Sequence, residues 1–226
     1  MKLRPSLIVL LIISAVLHSG CASVGNDAPE KTAQQLIEEG MALYDDGDYK
    51  LALESFRQLK DWYPFSKHAV LAELKIADSH YYLKEYPDAV IAYEEFERLH
   101  PRNASAPYVI YQIGRCYFDQ IGTVDREQSA TLKAVEVFER LGREYPDDPY
   151  TQKARAHQLT CYQSLAGHEY YVGRFYYKQR LYRAALHRFL SVVNDYPDVG
   201  GYHYKALHYI AECEAYRPVD TMGDSK

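Results

Sequence analysis

Nine histidines, four cysteines and 31 acidic residues could supply a metal site or an acid–base pair, so their spacing is the first test of this 226-residue chain. His203 and His208 lie five apart on one expected helix, whereas two ligands sharing a helix face need a spacing of three or four. His157 and His168 are eleven apart, and neither has a carboxylate motif beside it. Glu94-Glu95 and Asp45-Asp46 fall on expected exposed faces or turns, where acidic residues are ordinary. No HExxH helix, EF-hand loop, GxSxG elbow or phosphate-cradling glycine loop occurs in the sequence. Cys116, Cys161 and Cys213 are widely spaced without a CxxC pair, which favours buried small apolar side chains over a disulfide or a metal site. The sequence therefore predicts a protein that is not an enzyme and needs no cofactor or metal. Two kinds of chemistry remain: covalent modification of one cysteine, and recognition by arginines and tyrosines.

The modified cysteine is Cys21. Lys2 and Arg4 precede an apolar run from Leu7 to Leu17, broken only by Ser14. A charged start before a short apolar run reads as a secretory signal, too short to span a bilayer. Ser19 and Gly20 then lead into Cys21, an arrangement that resembles a bacterial lipoprotein signal. Cleavage before the cysteine would leave its thiol and amine to carry acyl chains, and several chains hold a protein on a membrane where one is marginal. His18 stands where such signals usually carry leucine, so an ordinary cleaved signal or an uncleaved anchor stays open. Ala22, in place of aspartate, follows the cysteine and by the same resemblance favours the outer membrane. The expected organisation is a signal peptide at 1–20, a lipidated cysteine and flexible tether at 21–30, a helical repeat domain at 31–217 and a tail at 218–226.

Charge bounds the partners. The net formal charge is −5, and it falls to −7 once Lys2 and Arg4 are removed. No basic run stands out, so nucleic acid is not an expected partner. Tyrosine is the compositional outlier at 23 residues, and most of these are expected to fill the core with a wet hydroxyl.

An internal period positions everything else. Proline follows an aromatic residue or histidine at Tyr63-Pro64, His100-Pro101, Tyr145-Pro146 and Tyr196-Pro197. Twelve residues before each proline stands Ala52, Ala89, Ala134 or Ala185, and four after each alanine stands Phe56, Tyr93, Phe138 or Phe189. Twelve before three of these alanines stands Gly40, Ala77 or Gly173; in the third unit Gly114 lies twenty before Ala134, so eight residues are inserted. This register resembles the tetratricopeptide repeat. Small residues sit where paired helices approach most closely, the aromatic fills the space toward the next unit, and proline ends the second helix. One unit cannot bury its own apolar face, so the units must stack.

The expected fold class is therefore all-α, a solenoid of about four and a half helix-turn-helix units. Helices are expected near 31–45, 49–62, 67–84, 87–99, 106–119, 127–144, 150–179, 182–195 and 200–216. Residues 150–179 read as one long helix or two in series, with an apolar stripe through Ala154, Leu159, Tyr162 and Leu165. The last helix lacks a sequence partner and is expected to cap the stack. First helices line the concave face of such a superhelix. The inward positions are then Ile37, Met41 and Tyr44; Leu74, Asp78, Tyr81 and Tyr82; Tyr108, Tyr111, Arg115 and Phe118; and Tyr170, Arg174, Tyr177 and Lys178. Aromatics and arginine are enriched at binding hot spots. The groove suits an extended peptide with aromatic side chains whose terminal carboxylate Arg115 or Arg174 would accept. A small-molecule or glycan ligand is the competing reading.

Details beyond the generic repeat carry a closer resemblance. They are Tyr63-Pro64-Phe65, HPRNASAPYVIYQIG at 100–114, the insertion ending near Asp125-Arg126, and HEYYVGRFYYKQRLYRAALHRFLSVVNDYP at 168–197. Together with the signal they make the chain similar to the BamD (ComL) lipoproteins of the outer-membrane β-barrel assembly machinery, over roughly 1–216. The resemblance implies a lipid anchor on the periplasmic face of the outer membrane. It implies N-terminal repeats that receive the C-terminal signal of unfolded outer-membrane protein clients, and C-terminal repeats that dock on a BamA-like barrel subunit beside other assembly lipoproteins. The family's docking arginine matches Arg188 in the HRF triplet. Another periplasmic repeat lipoprotein, coordinating cell-wall or secretion machinery, is the alternative.

Overall fold

A computed structural model of the chain describes residues 30–216. The expected signal at 1–20, Cys21 with most of its tether, and the tail at 218–226 lie outside the described residues. Among those described there are nine α-helices and no strand: α1 Ala33–Asp45, α2 Tyr49–Trp62, α3 Ala69–Tyr82, α4 Tyr86–Leu99, α5 Ala106–Phe118, α6 Ser129–Glu144, α7 Pro149–Lys178, α8 Tyr182–Asn194 and α9 Tyr202–Ala215. None of them is long and apolar enough to cross a membrane.

The repeat register has a direct physical counterpart. Ala52, Ala89, Ala134 and Ala185 are all fully buried, as are Phe56, Tyr93 and Phe189, with Phe138 at 1% exposure. A Cβ at Gly40 would come within 2.5 Å of the Phe56 ring, and one at Gly173 within 2.7 Å of Phe189; Gly114 meets Phe138 in the same way. The aromatic thus stands first on the small residue of its own unit. It also reaches the following helix pair, as expected, since Phe56 shares a core with Ala69, Ala72 and Ile76. Each helix packs chiefly on its chain neighbours, α1 with α2 through α8 with α9, the arrangement of a solenoid.

Prolines follow the C-caps of α2, α4 and α6 where the sequence places them, whereas α8 ends at Asn194, three residues before Pro197. The C-cap residues Tyr63, His100 and Tyr145 share one conformation, with φ near −130° and ψ of 53–63°. A following proline excludes the helical region for the residue before it, so each helix stops one residue short. The turns inside the pairs also repeat. Gly47, Lys84 and Arg180 are left-handed, at φ 83°, 61° and 59°. Each lies two residues before a second helix that opens on Tyr49, Tyr86 or Tyr182. The following amide donates back five residues in each case, from Asp48 to Leu43, Glu85 to His80 and Leu181 to Tyr176. These bonds satisfy carbonyls that the helix end would leave open.

Residues 149–178 form one continuous helix. Asp148 caps it, accepting from the Tyr150 amide at 2.8 Å, and Pro149 occupies the first turn. Its first half packs on α6 and α5, and its second half pairs with α8. The expected apolar stripe needs one correction. Leu159 is 55% exposed, and the buried line runs through Thr151, Ala154, Cys161 and Leu165. The steps of three, seven and four between these residues follow the helical period, and Leu159 falls away from that face. Cys116, Cys161 and Cys213 are free and buried.

Ala134 faces Ile110 and Tyr111 in the core of the third pair. Ala134→Trp is expected to overpack this crossing and to cost about 1–3 kcal/mol, read as a lower thermal midpoint. An unchanged midpoint would mean that α5 and α6 do not meet at that residue.

Candidate functional site

The first helices bring the expected groove residues together, though not all of them. Tyr44 at the end of α1 and Tyr82 at the end of α3 meet edge to face at 5.8 Å, and Tyr49 of α2 stacks on Tyr82 at 4.6 Å. Tyr81 lies 5.4 Å from Tyr82 and reaches across to the third pair. Its hydroxyl donates to Asp119 Oδ2 at 2.6 Å and accepts from Arg115 Nη2 at 2.7 Å. Arg115 also donates to Asp119 at 3.2 Å and to the Tyr111 hydroxyl at 3.5 Å. Tyr111 passes the chain on through a 3.0 Å hydrogen bond between its hydroxyl and His157 Nε2, and Phe118 covers the His157 ring at 4.4 Å. Tyr108 packs edge-on against Tyr150 at 5.3 Å. Tyr44, Tyr81, Tyr82, Tyr108, Tyr111, Arg115 and Phe118 therefore form one connected surface across α1, α3, α5 and the start of α7.

Several tyrosines have a structural task in this surface. Tyr44 touches Tyr49, Tyr81 touches Tyr86 and Tyr177 touches Tyr182, at 5.3, 5.9 and 5.5 Å. In these three pairs one ring at the end of the first helix thus closes the turn onto the ring that opens the second helix, while α6 of the third pair opens on Ser129. Tyr111 is only 7% exposed and serves the packing of α5 on α7, whereas Tyr82 presents 47% of its surface.

A buried carboxylate organises the floor. Asp78, at 1% exposure, accepts from the Tyr93 and Tyr108 hydroxyls at 2.7 Å each and from Lys75 at 2.9 Å. Gln112 adds a donor to Tyr108 at 3.2 Å. Burial, followed by the charge of Asp78, pushes the Tyr44, Tyr93 and Tyr108 phenols well above their ordinary range, so they stay hydrogen-bond donors. Burial opposes the charge on Arg115, but the Tyr111 hydroxyl, Tyr81 and Asp119 outweigh it and the guanidinium titrates above its usual value. Its Nε is buried without a partner among the described residues. Asp78 lay among the expected inward positions, but its spacing alone gave no sign that it is buried. Asp119, Tyr150 and His157 were not expected here at all. Tyr150 and His157 enter because α7 lays its first half against α5, a contact no local pattern encodes.

His157 supplies a pH test. Burial, and then the Arg115 charge, lower it from the ordinary value of 6.5. The folded state holds the neutral ring while the unfolded chain takes the proton more readily. Its contribution is therefore complete above 6.5 and is lost as pH falls below it. The thermal midpoint of His157→Phe should fall less on acidification than that of the unchanged chain; parallel curves would rule His157 out as the responsive group.

Arg174 and Tyr177 stand apart from this surface. Tyr177 contacts Tyr209 of α9 at 5.0 Å, and a hydrogen bond to Glu212 pushes its phenol up to about 12. Arg174 is exposed and lines a cavity between α7 and α9. Arg188, on α8, meets Glu169 of α7: its Nη1 donates to both carboxylate oxygens, at 3.0 and 3.1 Å. Among the described residues the one group within metal-binding reach is His80, Glu85 and Asp88. Both ring nitrogens of His80 are already engaged, Nε2 with Arg57 at 3.0 Å and Nδ1 with Glu85 at 2.6 Å. The cation beside the ring disfavours a second one.

Comparison with known proteins places this arrangement. A family model described as "Outer membrane lipoprotein" (YfiO) matches residues 29–223. The outer membrane protein assembly factor BamD of Rickettsia prowazekii is 33% identical over 215 residues, covering 94% of this chain and 84% of that protein. BamD of Caulobacter vibrioides is 30% identical over 194 residues, covering 84% of this chain, and this chain spans only 64% of that relative's length. BamD of Neisseria gonorrhoeae is 28% identical over 205 residues, covering 83% and 77%. Among solved structures, a tetratricopeptide repeat protein from Parabacteroides merdae aligns at a TM-score of 0.43 and 12% identity, over 81% of this chain and 72% of that one. The match along nearly the whole repeat domain, with two relatives at 30% identity or more, shows that the chain belongs to the YfiO family of outer membrane lipoproteins.

Proposed function

We propose that this chain is a non-catalytic scaffold, anchored by acyl chains on Cys21 to the periplasmic face of the outer membrane, that assists assembly of β-barrel proteins. The observation that carries the reading is the family match over 29–223 together with relatives named as outer membrane protein assembly factors. In this reading the tyrosine-rich surface over α1, α3 and α5 receives the C-terminal signal of unfolded clients. A client carboxylate would bind beside Arg115, where Tyr81 and Asp119 hold the guanidinium in place, and an aromatic client side chain would lie on the exposed face of Tyr82. Arg188 would dock on a BamA-like barrel-forming subunit.

A mild-detergent pull-down of the tagged full chain, followed by mass spectrometry, tests the assignment. Near-stoichiometric recovery of an integral outer-membrane barrel with periplasmic domains supports it; recovery of cell-wall or secretion components instead would replace it with another envelope scaffold. Cys21→Ser tests the anchor separately. Without a thiol for acylation, the protein is expected to move from the membrane to the soluble fraction, and retention on membranes would refute lipid anchoring.

A further inference from the structure

Cations are distributed unevenly along this acidic chain. Residues 170–194 contain no Asp or Glu but carry Arg174, Lys178, Arg180, Arg183 and Arg188. Of these five, only Arg188 is ion-paired among the described residues, with Glu169. Arg174 and Lys178 line a cavity of about 410 Å³ whose third cation is Lys205, from the first turn of α9. None of the three has an acidic partner within 4.0 Å among the described residues. Aromatic faces support two of them instead: Arg174 lies 6.0 Å from the Tyr170 ring and Lys205 lies 5.4 Å from the Tyr202 ring. Ring faces attract the charge without using up the N–H donors.

The cavity is a tertiary product. Val124, in the insertion between α5 and α6, closes one side of it. Gly167 admits that approach, since a Cβ there would lie 2.9 Å from Val124 Cγ1 and 3.1 Å from the Tyr202 ring. His168 holds the same segment, with Nδ1 at 2.6 Å from the Val124 carbonyl oxygen. The rim is aromatic and open: Tyr171 and Phe175 are 50% and 56% exposed. Tyr171, Arg174, Phe175 and Lys178 follow the i, i+3, i+4, i+7 pattern and so share one face of α7.

We propose that this cavity binds the phosphate of an anionic phospholipid headgroup, with Arg174, Lys178 and Lys205 as ligands and Tyr171 and Phe175 dipping into the membrane interface. Three unpaired cations converging on one opening call for an anion with several acceptor oxygens. The exposed aromatic rim beside them is the combination that lies at a lipid surface, and a free phosphate would have no use for it. A peptide carboxylate would use one or two of the cations and leave the rim uncovered. Family membership puts the chain at an outer membrane. The inference draws on that membership and is independent of the scaffold reading.

Native mass spectrometry of the acylated full chain in a non-ionic detergent tests it. The probes are phosphatidylglycerol, phosphatidylcholine, inorganic phosphate and a peptide ending in phenylalanine, each added alone at equal concentration, and the last two also added in competition with bound phosphatidylglycerol. Phosphatidylglycerol is expected to bind in preference to phosphatidylcholine, and Arg174→Gln, Lys178→Gln and Lys205→Gln are each expected to weaken it about fivefold. Lys205→Gln, on a different helix, guards against a folding defect in α7. Phe175→Ser should weaken lipid binding and leave binding of inorganic phosphate unchanged. Equal binding of the two lipids would overturn the proposal. So would displacement of the lipid by inorganic phosphate, which would mark a free-phosphate site, or by the peptide, which would mark a peptide site.

Discussion

Asp78→Ala is expected to destabilise the junction of the second and third helix pairs by about 3–5 kcal/mol, because it removes one partner of a buried, hydrogen-bonded charge cluster. The substitution strands the hydroxyl of Tyr93, which is fully buried, along with that of Tyr108. It also leaves the Lys75 ammonium, only 19% exposed, without its carboxylate. Gln112 cannot replace the lost acceptor, because its contact to Tyr93 is made by its amide nitrogen, a donor, at 3.4 Å. Each stranded donor keeps its full desolvation penalty. Asp78→Asn preserves an acceptor oxygen for the tyrosines but turns an amide toward Lys75, so it should cost less than the alanine. Urea unfolding followed by circular dichroism measures both variants. Equal, small losses would mean that water replaces the carboxylate and that Asp78 is not the keystone of this junction.

Arg188→Ala is expected to weaken binding of the barrel-forming subunit by about 2–4 kcal/mol, roughly thirty- to a thousand-fold, if Arg188 is the docking anchor proposed above. The geometry explains why its pairing with Glu169 does not rule that role out. Glu169 is engaged by Nη1 alone, and among the described residues Nη2 and Nε have no hydrogen-bond partner. That free edge of the guanidinium can take a second carboxylate in a two-pronged contact. Glu169, with 15% of its side chain exposed, then acts as the orienting group. Glu169→Gln should therefore weaken docking less than Arg188→Ala. Arg188→Lys should restore little, because an ammonium cannot bridge two carboxylates in the same plane. The check is the yield of the barrel subunit co-purified with each full-length variant, at unchanged helical content. Normal yield with Arg188→Ala would remove the arginine from the interface.

Much of this protein was legible in its sequence. The small–alanine–aromatic–proline register determined the helix pairs, because a missing Cβ, a buried methyl and a missing amide act locally and repeat at a fixed spacing. Gly40, Ala52, Phe56 and Pro64 needed no knowledge of the rest of the chain to be read. The left-handed turns belong to the structure alone: Gly47 takes one at no steric cost, but Lys84 and Arg180 take the same conformation at the equivalent turns with side chains that carry no preference for it. They are held there by the helices on either side and by the bonds from Glu85 to His80 and from Leu181 to Tyr176.

Only the tertiary structure decided how the groove residues divide. Periodicity placed Tyr44, Tyr81, Tyr108 and Arg174 on one kind of helix face but could not say which of them touch. The long α7 carries Tyr150 and His157 to α5 and sets Arg174 in a separate cavity with Lys205. It also turns Leu159 to solvent. The reason is that side-chain spacing reports the orientation of a residue about its own helix axis. Partnership between helices depends on crossings fixed by the core, such as Val124 against Gly167, and these join positions more than forty residues apart.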